Sequence, residues 1–430
     1  MKRTVFAVAL NHRAQTAHWQ EAFGQPPYQA APKTPVWFIK PRNTHRRDGD
    51  TISLPMEQTY SGGTLAVVMG RTARKVVAAE AGEYIAGYAL ANELSLAEES
   101  FYRPAIKAKC RDGFCPMGEL APLADASALE IITEVNGEER QRWSTADLHR
   151  DAATLIAALS DFATLQAGDV ILLGTPQQRV PLSPGDEVTL RAAGLPSLTN
   201  RFTDRPEAAR PAAEGHPTLF ALGLNYADHA TELDFKAPEE PLVFIKAPNT
   251  LTGDHAVSVR PDNLEYMHYE AELVVVIGKT ARNVSRDQAL EYVQGYTVCN
   301  DYAVRDYLEN YYRPNLRVKS RDTLTPLLPQ VTPRAAIPDA QNLQLKTFVN
   351  GELRQSGNTR DMVFDVPFLV SYLSEFMTLH PGDLIATGTP KGLADVRPGD
   401  EVVVEIEGIG RLTNHIVSEQ QFEESLHEQD

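Results

Sequence analysis

Phe6-Ala-Val-Ala-Leu-Asn11-His12 is written again, 214 positions on, as Phe220-Ala-Leu-Gly-Leu-Asn225-Tyr226. The same interval carries Asn136-Gly-Glu-Glu-Arg-Gln141 to Asn350-Gly-Glu-Leu-Arg-Gln355 and Gly174-Thr-Pro176 to Gly388-Thr-Pro390. It also carries Pro184-Gly-Asp-Glu-Val188 to Pro398-Gly-Asp-Glu-Val402, while Phe38-Ile-Lys-Pro-Arg-Asn-Thr44 returns as Phe244-Ile-Lys-Ala-Pro-Asn-Thr250 at its own interval. So many matches in one order mean a long-period duplication. A chain of 430 residues then divides into two domains of about 200 residues each. The first copy is expected over 1–200 and the second over 218–417. Between them, 201–217 is rich in Pro, Ala, Arg and Glu and has no apolar periodicity, as a linker would. The polar, acidic stretch 418–430 is expected to be loosely held.

Strand patterns dominate each copy. Leu65–Met69 and Leu273–Ile277 each stop at a Gly, Val170–Leu173 and Leu384–Ala386 run into Gly-Thr-Pro turns, and Glu401–Ile406 reads as a late strand. Apolar residues at three- and four-residue spacing predict helices over Asp147–Leu165 and Arg360–Phe376, with another beginning in Asp287–Tyr292. Many strands, few helices and repeated Pro-Gly-Asp turns give a β-rich α+β fold class.

Hydrophobic content of 43% with 23% charge suits a globular protein with substantial cores. A net charge of −16 argues against nucleic acid and anionic membranes as partners, so an anionic substrate needs a local cationic pocket. Three scattered cysteines fit a reducing compartment and a cytoplasmic protein. Cys110 and Cys115 lack the second pair that a zinc site requires. The apolar run Thr4–Leu10 resembles a signal core, yet Asn11-His12-Arg13 ends it at once, and its duplicate Thr218–Leu224 lies mid-chain. Both read as first strands, and no stretch approaches a membrane span.

In Tyr269-Glu-Ala-Glu272 the two carboxylates alternate on a strand, so Glu270 and Glu272 point to one spot. Taken alone, such a pair is more often a solvated face. Asp301 adds a third hard oxygen, and three carboxylates without Cys or His select Mg²⁺, Mn²⁺ or Ca²⁺ over zinc. The first copy has Gly62, Thr64 and Glu93 at these places and should bind no ion. His229 and Glu232 stand three apart, so on a helical turn the carboxylate can orient the imidazole as a general base, or the two are a surface His beside a surface Glu; Gln15 replaces the histidine in the first copy. Lys319 is matched by Lys109, which leaves open a structural ion pair in both copies. Gly388-Thr389 offers N–H groups and a hydroxyl to a carboxylate, or is a plain tight turn.

Together, Gly223-Leu-Asn-Tyr226, His229, Glu270-x-Glu272, Asn300-Asp301, Lys319 and Gly388-Thr-Pro390 resemble the fumarylacetoacetate hydrolase superfamily, once per copy. The resemblance implies a mixed β-roll fold, with Mg²⁺ or Mn²⁺ held by Glu270, Glu272 and Asp301. It implies a lid bearing His229 and Glu232, with Lys319, Asn225, Tyr226, Gly388 and Thr389 around the substrate. It also implies decarboxylation of 5-oxopent-3-ene-1,2,5-tricarboxylate and isomerisation of 5-carboxymethyl-2-hydroxymuconate, both unsaturated 2-oxo or 2-hydroxy tricarboxylates. Hydrolysis of an acylpyruvate C–C bond is the alternative. Since relatives pair as homodimers, the fused copies are expected to form an internal pseudo-dimer in a monomer. Asp112-Gly-Phe-Cys-Pro-Met-Gly118 keeps a family signature that Asp322-Thr-Leu-Thr-Pro-Leu-Leu328 lacks. The first copy is thus expected mainly as a packing partner, with a metal-free isomerising pocket containing Lys109 left open.

Overall fold

The computed structural model describes residues 3–206, 215–228 and 238–427. The chain forms two compact units. One is Met1–His216 with Glu309–Arg313 and Phe376–Thr378; the other is Pro217–Leu308, Pro314–Glu375 and Leu379–Asp430.

In the first unit a seven-stranded sheet runs in the order Val36–Lys40, Val5–Ala9, Val170–Leu172, Gly63–Met69, Ile85–Asn92, Cys115–Met117, His45–Arg47. The second unit repeats the motif as Leu242–Lys246, Leu219–Gly223, Leu384–Ala386, Ala271–Ile277, Val293–Asn300, Thr332–Pro333. Val5–Ala9 and Ala271–Ile277 are buried at every position, which is why Val5–Ala9 and Leu273–Ile277 read as unbroken apolar runs. Each unit also has a five-stranded sheet whose strands alternate instead. Gln344–Val349 and Glu130–Val135 bury every second residue because only one face meets the core. Their hairpins turn on Asn136-Gly137 and Asn350-Gly351, all four at positive φ, the backbone a two-residue type I′ turn demands.

The predicted helices are shorter than their apolar spacing implies. Asp147 ends a 3-10 turn, Thr145–Asp147, and the helix within Asp147–Leu165 runs only over Ala152–Ser160, because the Asp151 side chain accepts from Thr154 N–H and starts it there. Arg360–Phe376 likewise resolves into Thr359–Asp361 and Val366–Phe376, and Arg286–Tyr292 is 3-10 throughout. Sequence reading missed the helix Arg13–Phe23. The strand Leu198–Thr203 runs past the expected boundary at 200, held by its pairing with Glu187–Arg191. Ser418 closes the strand Gly410–Ser418, and Glu419–His427 is a helix with Phe422 half-buried, so the described part of this stretch is regular structure.

Leu10 and Leu224, both at φ 57°, end the matching first strands in the same kink. It swings Asn11 and Asn225 inward as clasps. Asn225 donates to Thr387 O (2.8 Å) and Phe364 O (3.0 Å) and accepts from Phe364 N–H (2.8 Å); Asn11 makes the equivalent bonds to Leu173 and Arg150. Gly388, at φ 93°, admits the clasp, since a Cβ there would lie 2.9 Å from Asn225 Cβ.

Candidate metal centre

Pairing of Ala271 with Asn300 sets the end of one strand beside the end of the next. Glu270 N–H then donates to Asn300 Oδ1 (2.9 Å), and Asp301 N–H to Glu270 O (2.9 Å). Glu270, Glu272 and Asp301 thereby offer oxygens all within 4.8 Å of one another, every residue buried. From a one-turn helix, Leu316–Lys319, the Lys319 ammonium reaches Asp301 Oδ2 and Glu270 Oε2, both at 2.8 Å. Lys246, at the end of its strand, donates to the other Asp301 oxygen.

Fully ionised, three carboxylates against two ammoniums would leave one uncompensated negative charge in this buried site. Burial pushes the Glu272 carboxyl well above the usual range, Asp301 and Glu270 push it further, and Lys319 and the Gly388 N–H only partly oppose them. Burial pulls the Lys319 ammonium down, but Asp301, Glu270 and Glu272 outweigh it and raise it. Glu272 Oε2 accepts from Gly388 N–H (2.9 Å), whereas Oε1 is buried with no partner. The Tyr226 hydroxyl is also buried and, like Glu272 Oε1, has no partner among the described residues, and Glu272 adds to the burial that raises it. Hard oxygens, unbalanced charge and an orphaned carboxylate oxygen fit a divalent cation held by Glu270, Glu272 and Asp301.

The other expected residues divide. Lys319 and Tyr226 are at the centre. The amide of Asn225 makes the same clasp that Asn11 makes in the copy without the carboxylates, which accounts for its hydrogen bonds within the protein. Gly388 N–H orients Glu272, and Thr389 Oγ1 accepts from Gln355 Nε2 (2.9 Å), so both bonds serve the protein itself. His229 and Glu232 lie outside the described residues. Lys246 was missed, although Phe244-Ile-Lys246 is one of the repeated motifs.

The first unit solves the same place differently. Glu93 is ion-paired with Lys40 (2.7 Å), Lys109 (3.1 Å) and Arg179, and Lys109 also reaches Glu98 (3.1 Å). Burial pushes Glu93 up, but Arg179, Lys109 and Lys40 overcome it and hold the carboxyl far below the usual range. At Gly62, the counterpart of Glu270, a Cβ would lie 2.8 Å from Arg179 Nη1. At the place of Glu272, Thr64 satisfies itself by donating to Gly174 O (2.6 Å). A guanidinium thus fills the space of the missing carboxylate, and no sequence match pointed to it. The expected titration is one divalent ion per chain by calorimetry or equilibrium dialysis; two would overturn this account.

A family model described as fumarylacetoacetate hydrolase, C-terminal, matches the chain over residues 4–203 and again over 218–417. The chain is 66% identical over 426 residues to the 4-hydroxyphenylacetate degradation bifunctional isomerase/decarboxylase of Escherichia coli, covering 98% of this chain and 99% of that one. It is 67% identical, over the same shares, to the protein of that name from Salmonella dublin. Oxaloacetate tautomerase YisK of Bacillus subtilis is 40% identical over 216 residues, 48% of this chain and 71% of that one, which is the span of a single copy.

Proposed function

The chain belongs to the fumarylacetoacetate hydrolase family, carried twice in tandem, and from that premise we propose that it is a bifunctional isomerase and decarboxylase of 4-hydroxyphenylacetate breakdown. Its substrates are 5-carboxymethyl-2-hydroxymuconate and 5-oxopent-3-ene-1,2,5-tricarboxylate. The observation that carries this reading is identity of about two thirds along both copies with enzymes of that name.

The proposed cation is Mg²⁺, with Mn²⁺ or Ca²⁺ able to substitute, held by Glu270, Glu272 and Asp301. When bound, it supplies a Lewis acid for the 2-oxo oxygen and its neighbouring carboxylate. Lys319 places a fixed positive charge beside the carboxylates. As CO₂ leaves, the electron pair of the broken C–C bond moves along the conjugated chain toward the 2-oxo group, and Lys319 favours that charge. His229, oriented by Glu232, returns a proton to carbon. Tyr226 directs its unpartnered hydroxyl at the same pocket. The two copies stand in for a homodimer's two chains, so the protein works as a monomer. Among the described residues no helix is long and apolar enough to cross a membrane. The three cysteines are free and buried, and burial pushes the Cys110 and Cys115 thiols up to about 12; the proposed location is the cytoplasm.

Supplying the tricarboxylate with and without Mg²⁺, and following CO₂ and ultraviolet absorbance, tests the proposal. Two carboxylic acid fragments without CO₂ would favour the acylpyruvate hydrolase reading. A His229→Gln chain should lose on the order of 10²- to 10⁴-fold in decarboxylation while binding Mg²⁺ as before; full activity would remove His229 from the mechanism.

A further inference from the structure

The first unit keeps a cavity of about 1460 Å³ whose lining includes His12, Tyr60, Gln141, Trp143 and Arg179. His12 is buried and stands where the second copy has Tyr226. Its Nδ1 accepts from Ala14 N–H (3.1 Å), capping the helix Arg13–Phe23. An accepting Nδ1 puts the proton of a neutral imidazole on Nε2. That Nε2 is buried and has no partner among the described residues. Burial lowers the pKa of the ring; Asp147 opposes it and His149 and Arg13 add to it, so the ring stays neutral. A neutral imidazole at a helix N-terminus is a donor suited to polarising an oxygen, the arrangement known for the active-site histidine of triosephosphate isomerase.

Two further groups face the same space. Arg179 gives one N–H to Glu93 O (2.7 Å) and one to its carboxylate, two of its five donors, and its Nη2 also stands 4.0 Å from Glu98 Oε2. Gln141 Oε1 is buried and unpartnered, whereas its counterpart Gln355 accepts from Thr347 Oγ1 (2.8 Å). The ammonium of Lys109, by contrast, is consumed by Glu93 and Glu98, which makes it a support and not the reacting group.

We propose that this cavity is a second, metal-free site for the enol form of an unsaturated 2-oxo acid, where Arg179 meets a carboxylate, the His12 Nε2–H holds the oxygen at C2, and isomerisation takes place. It rests on the bifunctional reading above. The hydroxyl at C2 gives its proton to water, its electron pair closes the carbonyl, and the diene electrons shift outward. The carbon at the far end takes a proton from water, so none is gained or lost. The His12 bond strengthens as charge gathers on the oxygen.

His12→Asn is the informative variant, because asparagine still caps the helix through its side-chain oxygen but lacks Nε2–H. Isomerisation of 5-carboxymethyl-2-hydroxymuconate should survive chelation in the parent chain. In the variant its kcat should fall on the order of 10²- to 10³-fold with KM nearly unchanged, the loss that follows removal of one oxyanion donor. Mg²⁺-dependent CO₂ release should stay within about two-fold, which also certifies folding. Undiminished isomerisation in the variant, or its loss on chelation, would overturn the proposal. If the parent catalyses neither reaction, the bifunctional reading fails separately. Quenching of Trp143 fluorescence by the tricarboxylate in the chelated chain, absent in Trp143→Phe, then decides whether the cavity holds the acid, and no quenching sinks the site as well.

Discussion

A Glu272→Gln chain is expected to release CO₂ at limiting Mg²⁺ on the order of 100-fold more slowly than its parent, or worse. The substitution removes one of the three charges that would hold the ion yet nearly preserves shape, so it separates charge from packing. Its effect on the metal-free protein should have the opposite sign. The folded carboxyl of Glu272 is raised by burial first, then by Asp301 and Glu270. A raised carboxyl contributes stability that is present below its unfolded value and is lost as pH rises through the folded value. At neutral pH the parent therefore carries a penalty that glutamine escapes. Without metal the variant should melt at or above the parent temperature, by a margin that widens with pH; with saturating Mg²⁺ the order should reverse. A variant that melts lower in both conditions, or decarboxylates normally at limiting Mg²⁺, would remove Glu272 from the ion.

Contrast between the copies made the centre legible. Glu270 and Glu272 stood out because Gly62 and Thr64 replace them, and strand alternation alone places two such carboxylates together. Residues shared by both copies offered no such contrast. Lys246 was hidden because Lys40 repeats it, and only the fold shows each lysine bonded to the acidic residue at the same place, Asp301 or Glu93. Asn225 looked chemical for the same reason, and the clasp of Asn11 explains its recurrence without a substrate. Arg179 has Leu393 as its counterpart and lies between two matched motifs, Gly174-Thr-Pro176 and Pro184-Gly-Asp186. Nothing local says that its guanidinium reaches the space of a side chain missing from Gly62, because that is a contact between segments far apart in sequence. Helix ends were misjudged where a cap outranked periodicity, as at Asp151.

Lys319→Met should move ion affinity and turnover in opposite directions. The ammonium lies 2.8 Å from oxygens of both Asp301 and Glu270, two of the three groups that would hold the ion. In the metal-free protein it acts as a surrogate cation, and a divalent ion must take those oxygens against it. Methionine fills a similar volume without charge, so the competition ends and binding should tighten about ten-fold or more, the direction set by removing a like charge at close range. The metal-free variant then has three buried carboxylates and only Lys246 to balance them. Breaking a buried pair from one side costs about 3–5 kcal/mol, so its melting temperature should fall, and Mg²⁺ should restore most of the loss. Turnover should not be restored. With the positive charge gone from the place where charge grows as CO₂ leaves, kcat at saturating Mg²⁺ should drop on the order of 10²- to 10³-fold. Calorimetric titration, melting with and without the ion, and CO₂ release read the three effects independently. Weaker ion binding would mean that Lys319 organises the carboxylates for the ion instead of competing with it. Unchanged turnover at saturating Mg²⁺ would reduce it to a structural ion-pair partner, the role Lys109 already plays beside Glu93.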